Sequence, residues 1–306
     1  MTQEQILQSN ISKADKARKL FDLGYTRHQV AELNCGGNYG WAHNIYKKHF
    51  GLDTAIRSLV SVFNNKFGIE IEAYDVNRSV LSKALRDAGI HVETESYNHN
   101  TRPHWKIVND VSVSGSQGFE LVSPILKGET GIEEVKKVCE ILVACGAKVN
   151  MSCGFHVHFD ARSLSMNDWK NLYKNYITLE TEFDAIMPNS RRGNNNTYCK
   201  SLMNRFSNKQ SAYDAIDNAT TVAELSSNVA SGSRYVKVNA ESYMRHGTVE
   251  FRQHSGTVEF EKITSWVRIC GALIEKSKTA LVNTMQDALP ANLMTYVTNR
   301  KRKFAA

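Results

Sequence analysis

No stretch of the sequence approaches the roughly 18 consecutive apolar residues that a membrane-spanning helix needs, so no membrane partner is expected. The first twenty residues lack the basic, apolar and small-residue blocks of a secretory signal, and the cytoplasm is the expected compartment. Six cysteines, at positions 35, 139, 145, 153, 199 and 270, include no CxxC pair, which argues against a zinc ribbon or a dense disulfide scaffold; they read as reduced thiols. Internal repeats and low-complexity domains are also missing. What is present is ordinary for a globular chain: 42% hydrophobic and 23% charged residues. A length of 306 residues implies one large domain and one small one. The net charge of +7 owes part of its excess to Arg300-Lys301-Arg302-Lys303. Such a run attracts polyanions but more often marks a solvated end, so residues 290–306 are expected to be a basic tail.

From Ser12 to Phe50 the pattern predicts three short helices: Lys13 to Leu23, Thr26 to Leu33 with Thr26 as N-cap, and Asn38 to His49. Gly24, Gly36 and Gly37 punctuate them, and Ala17, Leu20, Phe21, Val30, Leu33, Trp41 and Ile45 recur at helical spacing, the mark of a small trihelical core. After Phe63, period-two runs alternate with longer helical ones, which predicts an α+β domain on an antiparallel sheet. Expected strands are Lys66 to Tyr74, Trp105 to Val113, Gly118 to Pro124, Gly154 to Asp160, Arg234 to Asn239 and Gly247 to Gln253; expected helices include Arg78 to Ala88, Ile132 to Cys145, Met166 to Ile186 and Lys262 to Val282. Asn189 to Tyr198 reads as a mobile loop. The expected domains are therefore 1–60, 61–289 and the tail.

Side chains in a strand alternate faces, so Glu70 and Glu72 share one face, as do His156 and His158, and Glu250 and Arg252; Glu120 stands opposite Phe119 and Leu121. A sheet with one wet face produces alternation without any further role. Wet faces, however, mix Thr, Ser, Lys and Gln, whereas these positions hold four glutamates, two histidines and an arginine. Gathering carboxylates without counter-charge raises their pKa values and costs stability unless a cation neutralises them. Glutamate oxygens with one or two imidazoles favour Mg²⁺ or Mn²⁺. Hard cations beside an arginine are the equipment of phosphoryl transfer.

At these residues the sequence resembles the amidoligase family of bacteria and phages, relatives of glutamine synthetase and glutamate-cysteine ligase. The resemblance rests on FGIEIEAYD (67–75), WKIVNDVSV (105–113), GFELVSPIL (118–126), CGFHVHFD (153–160), RYVKVN (234–239) and TVEFRQHSGT (248–257), in the family's order. It implies a glutamine-synthetase-like curved antiparallel sheet with helices on its convex face. It implies metal ligation by Glu70, Glu72, Glu120, His156 and Glu250, and catalytic roles for Glu250, Arg252 and His158. It further implies nucleotide contacts from His156, Arg234, Asn239 and Arg252, with Arg252 facing the transferred phosphoryl group. Arg234 and Asn239 have opposite parity, so an unbroken strand could not put both on one face; Asp110 is followed by Val111 where the family pattern leads one to expect glycine.

The implied activity is an ATP-dependent carboxylate-amine ligase that works through an acyl-phosphate with Mg²⁺ or Mn²⁺, on small molecules or a protein side chain. A phage-encoded member would work in its host's cytoplasm. Two other readings stay open. A metal-dependent hydrolase would use zinc on Glu70, a histidine and Glu250; a DNA-binding regulator would keep a ligase-like domain as a metabolite sensor. DNA binding would fall to residues 12–50, with Asn38, Tyr39, His43, Asn44, Lys47 and Lys48 on the reading helix of a helix-turn-helix-like segment.

Overall fold

The computed structural model describes residues 2–49 and 63–305, so the domain boundary expected at residue 60 lies outside the described residues. The chain divides into two compact units, Met1–Ser61 and Val62–Ala306. Among the described residues no helix is long and apolar enough to cross a membrane.

Among the described residues the first unit holds four helices, Gln3–Gln8, Lys13–Asp22, Arg27–Cys35 and Tyr39–His49, one more than the trihelical expectation. The extra helix is too short and polar to show periodicity in the sequence; Thr2 and Gln5 close a capping box at its start, and Ile6 enters the core. Thr26 caps as expected, accepting from the Gln29 N–H at 3.3 Å while its own N–H donates to Gln29 Oε1 at 2.9 Å. Leu33, expected inside, is 38% exposed; Cys35, two residues further along the same helix, is buried instead.

The second unit is built on a mixed sheet of eight strands: β1 Lys66–Ala73, β2 Val92–Thr94, β3 Trp105–Asn109, β4 Phe119–Val122, β5 Leu126–Lys127, β6 Phe155–Asp160, β7 Val238–Asn239 and β8 Thr248–Phe251. Their order is β2-β3-β4-β1-β6-β8-β7, with β5 paired to β1. All pairs are antiparallel except β2 with β3, so the sheet is mostly antiparallel, as expected. Trp105, Ile107, Phe119, Leu121, Ile69, Ile71, Phe155, Val157, Phe159, Val249 and Phe251 share one core with the helices Gly128–Ala144, Met166–Ala185 and Phe260–Ser277. Alternation does the rest. Every strand that puts an aromatic or β-branched residue on these helices puts its next residue on the opposite, polar face.

Residues 290–306, expected as a tail, instead contain the helix Ala291–Ala305. Leu293 and Val297 join the core, Lys301 pairs with Glu182 at 2.8 Å, and the Arg300 and Arg192 guanidinium carbons sit 4.6 and 5.6 Å from the Phe304 ring centre. The basic run hides an i, i+4, i+7, i+11 spacing of Leu293, Val297, Arg300 and Phe304, and the stems of its long cations lie along apolar surface.

Candidate active site

Strand register fixes what meets what. Glu72 pairs with Glu120 across β1 and β4, Glu70 with His156 across β1 and β6, His158 with Glu250 across β6 and β8, and Asn239 with Glu250 across β7 and β8. One row of polar side chains thus crosses five neighbouring strands. All nine residues singled out in the sequence (Glu70, Glu72, Glu120, His156, His158, Arg234, Asn239, Glu250 and Arg252) line one cavity of about 840 Å³, and Asp110 lines it too.

Within the row the contacts are close. His156 Nδ1 lies 3.0 Å from Glu70 Oε2 and 3.8 Å from Glu250 Oε1, while its Nε2 lies 3.8 Å from Glu72 Oε1. His158 Nε2 is 3.2 Å from Glu70 Oε1, and its Nδ1 is 3.1 Å from the Thr248 hydroxyl. Glu250 accepts from Arg252 Nη1 and, at 2.6 Å, from Asn239 Nδ2; Glu72 accepts from the Gly154 N–H at 2.6 Å. Arg252 also donates through Nε to the Tyr198 carbonyl at 3.2 Å.

Charge is unevenly balanced along the row. Burial pushes the Glu70 carboxyl upward, but His158 and His156 outweigh it and hold it well below the usual carboxylate range. Burial likewise opposes Glu250, which Arg252 and His158 keep depressed. Glu120 has no such partner: burial, then the charges of Glu70, Glu72 and Asp110, push its carboxyl well above the usual range. That surplus of carboxylate is what a cation would relieve. Two trios place ligand atoms within 4.8 Å of one another, Glu70-His156-Glu250 and Glu72-Glu120-His156, and oxygen donors with a single imidazole suit Mg²⁺ or Mn²⁺. His156 belongs to both trios.

The parity conflict between Arg234 and Asn239 resolves because β7 is only Val238–Asn239: the segment before it leaves the regular ladder, and both side chains reach the cavity. Arg234 donates to the Tyr235 hydroxyl at 3.3 Å, with its guanidinium carbon 5.1 Å from that ring's centre. Asp110 lies in the turn after β3 and accepts from the Ser112 N–H and hydroxyl at 2.8 and 2.7 Å.

Three features were not anticipated. Lys106, on the polar face of β3, is buried and donates to Asn98 O, Asn98 Oδ1 and Asn100 O at 2.9, 3.1 and 2.9 Å, pinning the segment whose Tyr97 and His99 line the cavity. Its alternation with Trp105 and Ile107 was visible in the sequence. Arg191 also lines the cavity, and no sequence pattern signals it, since it lies in an irregular loop. That loop, read as mobile, is tied down: Gly193 N–H donates to Asp184 Oδ2 at 2.8 Å, Arg192 Nε to Met187 O at 2.9 Å, and Gln253 Nε2 to Arg191 O at 3.3 Å. Asp184 and Glu180 in turn hold the fully buried Lys237 ammonium, each at 2.6 Å.

No curated protein matches the chain. A solved structure described as a "novel glutamine synthase homolog" is similar over 80% of this chain and 67% of its own, at 13% identity and a TM-score of 0.41, a likeness too distant to carry an argument. The family model described as "Putative amidoligase enzyme" matches residues 64–274, which contain every carboxylate, histidine and arginine of the row, and the chain belongs to that amidoligase family.

Proposed function

We propose that the protein is an ATP-dependent carboxylate-amine ligase that forms an amide through an acyl-phosphate. The observation that carries this reading is the row itself: four glutamates, two histidines and Arg252 on one sheet face and in one cavity, in a chain of the amidoligase family. Glu70, Glu72, Glu120, His156 and Glu250 are the groups that would hold Mg²⁺ or Mn²⁺, which when bound neutralises phosphate charge and aligns the reacting oxygens. Asn239 and Arg252 orient the Glu250 carboxylate, and His158, braced by Thr248, orients Glu70. Arg252 has donors beyond those given to Glu250 and Tyr198 and turns them to the γ-phosphoryl group of ATP. Arg234, with its aromatic neighbour Tyr235, serves the nucleotide at the cavity wall.

A substrate carboxylate oxygen attacks the γ-phosphorus, the bond to ADP breaks, and an acyl-phosphate results. The amine then attacks the acyl carbon, phosphate leaves, and the nitrogen loses a proton. Tethering both partners beside fixed charges supplies proximity and electrostatic stabilisation, while the anchored loop at residues 189–198 helps wall the acyl-phosphate from water.

Titration calorimetry with ATP tests the reading. Nucleotide binding that requires Mg²⁺ or Mn²⁺ is expected, followed by ADP release and a condensed product, detected by mass spectrometry, in a mixed amine and carboxylate pool. Tight stoichiometric zinc with no nucleotide affinity would favour the hydrolase instead.

A further inference from the structure

Arg191 is 3% exposed, and among the described residues it forms no ion pair. Its Nη2 donates to the Cys153 carbonyl, its Nη1 points to the Cys199 sulfur at 3.9 Å, and its buried Nε has no partner. A buried guanidinium with no direct ion pair and an unpartnered N–H is costly, and an anion that meets it relieves that cost. The surroundings show where that anion would go. Arg191 lines the same cavity as the row, and Gly154 lets the groups converge there: a Cβ at this position would lie 2.8 Å from His156 Nε2, too close to fit, 3.4 Å from Glu72 Oε1 and 3.5 Å from Arg191 Nη1. Arg191 thus faces the same small space as two members of the Glu72-Glu120-His156 trio, whereas Arg252 is bonded to Glu250 of the other trio.

The position is engineered from both sides. Pro188 opens a single 3-10 turn, Asn189–Arg191, and Gln253, directly after Arg252, holds the Arg191 carbonyl. The same Gln253 amide donates to Asp184, whose other oxygen holds the Gly193 N–H. The end of β8 therefore sets both arginines, one directly and one through a glutamine.

We infer that Arg191 is a second phosphoryl-binding arginine, gripping the γ-phosphoryl oxygens of ATP together with Arg252. The inference rests on the ligase reading. A phosphoryl group passing between two nucleophiles spreads charge over three oxygens, and Arg252 already spends Nη1 and Nε inside the protein. A planar, permanently charged fork in a water-poor pocket matches the remaining oxygens.

The full-length chain and its Arg191→Met variant would be titrated with Mg²⁺-ATP and with Mg²⁺-ADP, and their metal-free melting temperatures compared. Wild type is expected to prefer ATP. Arg191→Met should lose that preference, with ATP affinity down roughly tenfold or more, ADP affinity almost unchanged and melting temperature equal or higher, since a buried charge has gone. Arg191→Lys should restore part of the preference. If Arg191→Met keeps the ATP preference and merely melts lower, Arg191 is a clasp for the Cys153 carbonyl and the inference fails alone. If wild type binds neither nucleotide, the ligase reading fails and takes the inference with it.

Discussion

The most informative single residue is Glu120, because among the described residues it is the carboxylate of the row that forms no ion pair and whose carboxyl is pushed upward. Its carboxyl is raised above the ordinary 4.5 by burial first and then by Glu70, Glu72 and Asp110. The native state therefore holds the Glu120 proton more tightly than the unfolded chain does. The stability linked to this group is fully present below the unfolded value and is lost as pH rises through the raised folded value. In chelator-treated protein, Glu120→Gln should melt above wild type near pH 7, by on the order of 1 kcal/mol, and the gap should close toward pH 4. Melting curves across that range decide it; a gap that does not change with pH would show that Glu120 is not strained. Glu70 behaves in the opposite sense. Its depressed carboxyl contributes stability above its unfolded value that acid removes, so the variant must be compared with wild type at each pH.

At the scale of elements, the clearest lever is the buried ion cluster behind the loop at residues 189–198. Lys237 Nζ meets Glu180 and Asp184, and Asp184 passes the constraint to Gln253 and Gly193. Lys237→Met would leave two carboxylates largely buried without their cation, and a loss of about 3–5 kcal/mol is expected in thermal or urea unfolding. A melting temperature within a degree or two of wild type would mean that water or rearrangement compensates. This cluster was illegible in the sequence because its members lie on a helix, beside β7 and after β8, and nothing in their spacing links them. The sheet face was legible for the opposite reason: period-two alternation is a local signal, and Glu70-x-Glu72, His156-x-His158 and Glu250-x-Arg252 each declare a face without knowledge of their partners. Register was not legible, and it is register that puts Glu70 against His156 and Glu72 against Glu120. Irregular backbone explains why Arg191, in its 3-10 turn, was missed and why Arg234 and Asn239 seemed to conflict in parity, since β7 is only two residues long. The C-terminal helix was hard to read because its few apolar positions are interleaved with the basic run Arg300–Lys303.

At the scale of the whole molecule, the open matter is what the Met1–Ser61 unit adds. Residues 12–50 hold seven lysines or arginines against three acidic residues. Part of the face expected to read DNA is engaged within the unit: Tyr39 stacks on His28 and His43 at centroid distances of 4.3 and 5.8 Å, and Arg27 contacts His43 at 3.0 Å. Asn44 and Lys48 remain exposed on the same helix. We propose that the unit binds duplex DNA weakly, through phosphates rather than base edges. Retention on duplex DNA should weaken steeply between 50 and 200 mM salt, and deletion of residues 1–61 should abolish it while sparing nucleotide binding by the remainder. Binding indifferent to salt, or absent at low salt, would leave the unit as a docking element.

The order of strands in the sheet also sets a timetable for the ribosome. β1 emerges first but sits in the middle, and the strands that complete its row arrive late: His156 on the neighbouring β6 follows Glu70 by 86 positions, and Glu250 on β8, one strand further out, by 180. At bacterial-to-eukaryotic elongation rates of about 5–20 residues per second, the first and last carboxylates of one trio leave the tunnel roughly 10–40 s apart. No nascent fragment that ends before Glu250 carries a complete Glu70-His156-Glu250 set. A chain cut short by a stalled ribosome or a premature stop would lack that trio, whichever other parts of it had folded.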